Sequence, residues 1–263
     1  MENTIQHIAF IMDGNRRWAK KNALPTIAGH KKGAETLINI VKAAKNEGIR
    51  YVTVYAFSTE NWNRSQSEVD GLMNLLRNYL DNGFKELEKN NARIIFIGER
   101  DMLAEDIVAK MQIMEQRTAE NNDITLCVAL SYGSRQEIVA AARKLAALAQ
   151  NGGLNVKDID VEMFSDMLYT KDIPDPDLLI RTSGEMRISN YLLWQLSYSE
   201  FYFTDTLWPD FSEEELKMII EEYKKRERRY GKSKIWSNSQ KSFGRHCYDS
   251  DCDRCIVYRK SVC

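Results

Sequence analysis

The 263-residue chain is 43% hydrophobic and 29% charged, enough apolar content for a full core. Its formal net charge of −1 gives no overall field that would gather nucleic acid, so any anion site must be local. Only Cys127 lies in the body of the chain, while Cys247, Cys252, Cys255 and Cys263 crowd its end, which excludes a disulfide framework for the fold.

In chain order, an apolar run over 8–12 is of strand length and stops at Asp13-Gly14. Helical periodicity over 34–46 is closed by Gly48, and a strand follows over 51–57. The spacing then predicts a helix over 68–89, a strand over 93–97, a helix over 102–120, a strand over 124–130 and helices over 135–150 and 161–168. Strands over 178–180 and 200–203 come next. Ser212 before three glutamates then starts a helix over 213–229, as an N-cap and a first turn that favours negative charge. This alternation predicts an α/β fold: a single domain with a central, mainly parallel six-stranded sheet flanked by helices on both faces. The domain is expected to span 1–231, with residues 232–263 as a disordered, cysteine-bearing tail. No apolar stretch approaches the ~20 residues needed to cross a bilayer. The start lacks the basic segment and cleavage site of a signal peptide, so a soluble, cytoplasmic body is expected.

In a parallel sheet, functional groups collect beyond the carboxyl ends of the strands. After the first strand stand Asp13, Gly14, Asn15, Arg16, Arg17 and Trp18. The carboxylate can ligate a divalent cation, the glycine lets backbone approach a ligand, and the guanidiniums match phosphate oxygens. An Asp-Gly pair after a strand is also an ordinary turn. A second polar cluster, Ser58, Thr59, Glu60, Asn61, Trp62, Asn63 and Arg64, follows the second strand. A third runs from Arg181 through Arg187, Ile188 and Ser189 to Asn190, with Glu200 ten residues on. His30 sits at what reads as a glycine-marked turn before a helix. Several arginines, acids able to share a cation and no Ser-His-Asp or Cys-His set point to diphosphate chemistry by electrostatic positioning. The absence of a Walker-type loop, and Asn15 where a phosphohydrolase would carry a second aspartate, argue against nucleotide hydrolysis.

Written out, the segments are His7-Ile-Ala-Phe-Ile-Met-Asp-Gly-Asn-Arg-Arg-Trp-Ala19, Gly29-His-Lys-Lys-Gly33, Tyr55-Ala-Phe-Ser-Thr-Glu-Asn-Trp-Asn-Arg64 and Asp177-Leu-Leu-Ile-Arg-Thr-Ser-Gly-Glu-Met-Arg-Ile-Ser-Asn190, with Leu-Leu-Trp-Gln and Trp-Pro-Asp-Phe beyond. In this order, over about residues 5 to 231, the chain closely resembles the cis-prenyltransferases, among them the bacterial undecaprenyl diphosphate synthases. The resemblance implies sequential condensation of isopentenyl diphosphate onto farnesyl diphosphate, with Mg²⁺ as cofactor. The implied product is a long undecaprenyl-type diphosphate, the precursor of a lipid carrier for cell-wall glycan synthesis. It also implies a homodimer with peripheral membrane contact through that product. By position, Asp13 would bind the metal and assist departure of the allylic diphosphate, and Glu200 would complete the metal site. Gly14, Asn15, Arg16, Arg17 and Trp18 would form the allylic diphosphate loop. Asn61, with Ser58 and His30, would take part in removing a proton from isopentenyl diphosphate. Thr59, Glu60, Trp62 and Arg64 would line the site, and Arg181, Arg187, Ile188 and Ser189 would hold the second diphosphate.

Product length in the family is set by an apolar tunnel, where small Ala56 near the mouth and Ile124 deeper match long-chain members. Two departures stand out: Thr26 occupies the place of a usual arginine, and Met186 that of a histidine. Cys252-x-x-Cys255 with His246, Cys247 and Cys263 has zinc-ligand types without a regular pattern, so free thiols are expected there. Alternatives within the same fold are a short-chain or irregular synthase and a non-catalytic partner subunit. The intact Asp13 and the Asn61-to-Arg64 loop speak against the second.

Overall fold

The structure is a computed structural model that describes residues 4–226. The boundary expected near Gly231 and the cysteine-bearing tail lie outside the described residues.

Among the described residues six strands form one fully parallel sheet: β1 (His7–Ile11), β2 (Tyr51–Ser58), β3 (Ala92–Ile97), β4 (Ile124–Tyr132), β5 (Leu178–Arg181) and β6 (Glu200–Phe203). Their order is β3-β4-β2-β1-β5-β6. The chain builds outward from β1 on one side, then returns to lay β5 and β6 on the other. The strand order thus reverses at β1, and the crevice beyond its carboxyl end is where such sheets bind ligands.

Side-chain alternation along the strands divides the core. Ile8, Phe10, Val52, Val54 and Ile94 face one way, against α2 (Thr26–Asn46), α3 (Gln66–Asn78), α5 (Glu105–Arg117) and α8 (Glu213–Lys225). Ala9, Ile11, Cys127, Ala129 and Leu179 face the other, against Tyr191, Leu192 and Leu196. On that side, buried Glu137 of α6 (Ser134–Gln150) accepts hydrogen bonds from the Tyr132 hydroxyl (2.5 Å), the Tyr169 N–H (2.8 Å) and the Gln195 amide (3.1 Å). Burial, working against these bonds, raises its pKa.

Four helical segments differ from the expected pattern. A seven-residue α1 (Asn15–Lys21) follows the first loop directly. The next helix starts at Thr26 rather than 34, so His30 lies inside it and not at a turn. Gly29 and Gly33 weaken the local helical signal but permit a close approach that no other residue would. A Cβ on Gly29 would stand 2.0 Å from the Asn15 carbonyl oxygen, and one on Gly33 2.2 Å from Asn15 Oδ1. The Trp208 indole, 1% exposed, donates to the Gly33 carbonyl (2.8 Å) and stacks on Phe211 at 5.7 Å, which ties this helix to the Trp-Pro-Asp-Phe turn. The helix expected over 68–89 is broken by a π-helical turn, Tyr79–Gly83, before α4 (Lys85–Lys89). The short α7 (Val161–Ser165) ends earlier than expected. The Ser212 cap is present: its hydroxyl accepts from the Glu215 N–H at 3.2 Å.

Candidate active site

Beyond β1 the backbone is pinned before any side chain reaches out. The Asp13 carbonyl accepts hydrogen bonds from the Thr182 hydroxyl (2.7 Å), the Ser183 hydroxyl (2.7 Å) and the Trp208 N–H (2.9 Å). Gly14 follows at φ +108, and a Cβ there would stand 2.2 Å from Ser183 Oγ, so the loop after β1 locks onto the loop after β5 only with glycine. The Asp13 carboxylate, 31% exposed, pairs with Arg181 Nη2 (3.0 Å) and Arg17 Nη2 (3.3 Å). Arg17 in turn donates to the Ser183 carbonyl (2.8 Å) and lies 3.5 Å from Glu185. The Trp18 indole donates to Asp210 (2.6 Å), away from these charges.

Arg181 is only 3% exposed and serves as a strut: besides Asp13 it donates to the Ser189 hydroxyl (2.9 Å) and the Arg187 carbonyl. Among the described residues its Nε finds no hydrogen-bond partner. Arg187 is exposed and pairs with Glu185, and Ile188 is half-buried beside the second core cluster. Ser183, Ser189, Asn190 and Leu192 all have positive φ, at about 1–2 kcal/mol each for residues with a Cβ. Such strain persists where the surroundings over-determine the backbone, and here it concentrates in the segment between β5 and β6.

The loop after β2 is a tight 3₁₀ turn, Thr59–Asn63. Asn61 Oδ1 accepts from the Ser58 N–H (3.1 Å), so its amide nitrogen is the group left for a ligand. Trp62 donates to the Ser131 hydroxyl (2.9 Å) and meets Phe57 edge-on, a wall rather than a reactive group. Glu60 accepts from the Asn190 amide (3.1 Å). Glu68, absent from the sequence expectations, joins Arg64 (2.9 Å) and Arg16 (3.8 Å). His30 lies within their field. Burial first and then the Arg64 charge lower its pKa from the usual 6.5 to about 4, against the opposing pull of Glu68.

Among the described residues six buried side-chain atoms lack a hydrogen-bond partner. Four of them, Asn15 Oδ1, His30 Nε2, Thr59 Oγ1 and Arg181 Nε, belong to the residues gathered around this crevice. Buried polar groups are almost always satisfied, so a concentration of unmet ones marks where a polar ligand belongs. Behind Asn15 and His30 an apolar cavity of about 130 Å³ runs between the sheet and α2 and α3, lined by Ala56, Leu37, Leu72, Leu76, Phe84 and Val128 among others.

Some of the expected residues lie apart from this crevice within the chain. Glu200 does not meet Asp13 within the chain. It pairs in register with Leu178, three positions short of the edge where Phe203 and Arg181 align, or ~10 Å along the strand. Its carboxylate is held by Arg226 at 2.9 Å. Ile124 is buried opposite Ala92 at the amino end of β4 and does not line the cavity. Thr26 and Met186 are both exposed, so neither departure disturbs the packed part of the site. Among the described residues no cluster of three or more His, Cys, Asp or Glu could hold a metal unaided. Thr182, Ser183 and Glu68 were missed, although the first two lie within the Arg-Thr-Ser-Gly run.

Comparison with known proteins shows the family. Residues 11–231 match the family model described as "Putative undecaprenyl diphosphate synthase". Over 226 residues the chain is 50% identical to an isoprenyl transferase of Brucella suis (86% of this chain, 89% of that one). It is 47% identical over 226 residues to that of Bacillus subtilis (86% and 87%). Lavandulyl diphosphate synthase from Lavandula x intermedia, solved in complex with dimethylallyl diphosphate, superposes with a TM-score of 0.84 at 39% identity, covering 87% of this chain and 98% of that one. A "probable undecaprenyl diphosphate synthase" from Campylobacter jejuni gives 0.73 at 34%, covering 88% and 100%. The chain belongs to this cis-prenyltransferase family and is a prenyltransferase.

Proposed function

We propose that the chain condenses isopentenyl diphosphate units onto farnesyl diphosphate, releasing diphosphate at each step and retaining a growing polyprenyl diphosphate. The observation that carries this reading is the set of unmet polar atoms in a cationic crevice that opens onto an apolar cavity. It is a site for a ligand with an anionic head and an apolar tail.

The allylic diphosphate is assigned to the Asp13-to-Trp18 loop, where Arg16 and Arg17 are both substantially exposed. Mg²⁺ fits there: Asp13 offers one partly exposed carboxylate, and this cation usually takes one or two carboxylates together with substrate phosphates and water. When bound it would supply neutralising charge for the departing diphosphate. Arg187 and Ser189, positioned by buried Arg181, are assigned to the diphosphate of isopentenyl diphosphate. Asn61 is an amide and His30 titrates near pH 4, so neither is a strong base at neutral pH. The proton lost after each bond forms is therefore assigned to a diphosphate oxygen, with Asn61 and neutral His30 orienting the transfer.

The tail enters the cavity by apolar burial, and its flexible Leu and Met lining can yield to a lengthening chain. A long product is the first reading. The TM-score of 0.84 with lavandulyl diphosphate synthase supports a second, in which the product is short or irregular. The homodimer is proposed along the outer edge of β6, where Phe201 and Tyr198 are exposed. Among the described residues no helix is long and apolar enough to cross a membrane, so peripheral contact through the product is the proposed membrane association. The test is incubation with farnesyl diphosphate, labelled isopentenyl diphosphate and Mg²⁺, then chromatography of the dephosphorylated products. Absence of any product longer than the primer refutes the reading, and chain length decides between the two products.

A further inference from the structure

Asn190 closes the run that carries Arg187 and Ser189, yet the roles assigned above leave it unused. It is held in the left-handed region at φ +61 and joins three loops at the carboxyl edge of the sheet. Its Oδ1 accepts from the Arg135 N–H (2.9 Å), and its backbone carbonyl accepts from the Ser134 N–H (2.8 Å), both at the start of α6. Its Nδ2 donates to Glu60 on the loop after β2 (3.1 Å) and to Gln136 (3.1 Å). An amide accepts through its oxygen while its nitrogen donates two hydrogen bonds, and the Arg135 N–H fixes which end does which. Burial opposes charge on Glu60, but bonds from its own backbone and from Asn190 and Ser58 outweigh it and hold its pKa below the usual carboxylate range.

The junction is built around this residue. A Cβ on Gly133 would stand 2.3 Å from Gln136 Oε1, 2.7 Å from Thr59 Oγ1 and 2.8 Å from Asn190 Nδ2, so the glycine leaves room for the three loops to meet. Ser189, one residue before Asn190, is itself at φ +48 and carries the hydroxyl bonded to Arg181. A strained residue keeps its direction only if its neighbour is fixed, and Asn190 is that neighbour.

We propose that Asn190 is the positioning residue that holds the Arg187-Ser189 segment in its diphosphate-binding conformation, by clasping it to Glu60 and to the start of α6. The inference rests on the proposed assignment of that segment to isopentenyl diphosphate. It separates the two substrates, because nothing in the clasp touches the Asp13-to-Trp18 loop.

The test exchanges the polarity of the clasp. Asn190→Asp keeps an acceptor for the Arg135 N–H and, like asparagine, tolerates a left-handed backbone, but sets a second carboxylate against Glu60. The expected result is a tenfold or greater rise in KM for isopentenyl diphosphate, with KM for farnesyl diphosphate within twofold and an unchanged melting temperature. Adding Glu60→Gln supplies a donor to the introduced carboxylate and is expected to bring KM back within threefold of the original protein, while Glu60→Gln alone has the milder effect. Unchanged KM in the Asn190→Asp variant overturns the proposal. So does a double variant no better than Asn190→Asp, or a parallel loss for both substrates together with a lower melting temperature. Calorimetric titration of isopentenyl diphosphate into each protein reads the same affinities without turnover. A wild-type chain that makes no product thus refutes the proposed reaction, whereas a productive wild type with an unaffected variant refutes the clasp alone.

Discussion

Replacing Asp13 by alanine separates the chemistry of the crevice from its scaffold, because the residue takes part in both through different atoms. The scaffold uses its backbone: the carbonyl's three hydrogen-bond donors, from Thr182, Ser183 and Trp208, remain in the variant. The side chain contributes ion pairs with Arg181 at 3.0 Å and Arg17 at 3.3 Å. Removing one partner of a fully buried pair costs about 3–5 kcal/mol, but this carboxylate is 31% exposed. Arg181 also keeps its bonds to Ser189 and Arg187. The expected loss of stability is therefore about 1–2 kcal/mol, between the values for exposed and buried pairs, seen as a fall of roughly 2–8 °C in melting temperature. Turnover should fall much further. Losing a group that stabilises the departing charge costs about 10²- to 10³-fold in kcat. Incorporation of labelled isopentenyl diphosphate at saturating substrate, with circular dichroism melting on the same preparation, reads both quantities. Asp13→Asn, which preserves shape without charge, should lose as much activity. A variant within threefold of the original kcat refutes the role of the carboxylate. A melting temperature lowered by more than ~15 °C would instead assign the lost rate to the fold.

Two further outcomes are expected. His7 is 2% exposed, and burial foremost, opposed by its bond to the Pro174 carbonyl and by Asp177, lowers its pKa from the usual 6.5 to about 4. Because the folded state holds it neutral, its stabilising contribution is complete above pH 6.5 and is lost as pH falls toward 4, at up to about 1.4 kcal/mol per pH unit. Urea midpoints of the native protein and of His7→Gln should diverge at pH 7 and converge toward pH 4.5, and parallel pH profiles would refute this. Ala56 lines the apolar cavity, so Ala56→Leu should shift the products to shorter chains while the first condensation stays within about threefold of its original rate. An unchanged product distribution removes Ala56 from the path of the tail.

Most strands were legible because each is a short, mainly apolar run of strand length little broken by charge; β6 coincides with its predicted bounds, and β2 and β5 gain one residue at their carboxyl ends. What periodicity could not convey was close approach. Gly29 and Gly33 read as a turn because glycine weakens a helix locally, whereas they are there so that Asn15 can lie against the helix, which only the tertiary packing reveals. The same limit explains Glu200 and Arg181. A carboxylate some twenty residues beyond an arginine looks like part of one site, but in a parallel sheet the distance between residues depends on register. Register puts Arg181 level with Ile11 beside Asp13 and leaves Glu200 level with Leu178, which pairs with Ile8, near the other end. It also converts Arg181 from an expected surface ligand into a buried strut that spends its guanidinium on Asp13, Ser189 and Arg187. Arg17 and Arg187, exposed beside Glu185, are then the cations proposed to meet a diphosphate. Substituting either should weaken binding, while substituting Arg181 should weaken the site that both depend on.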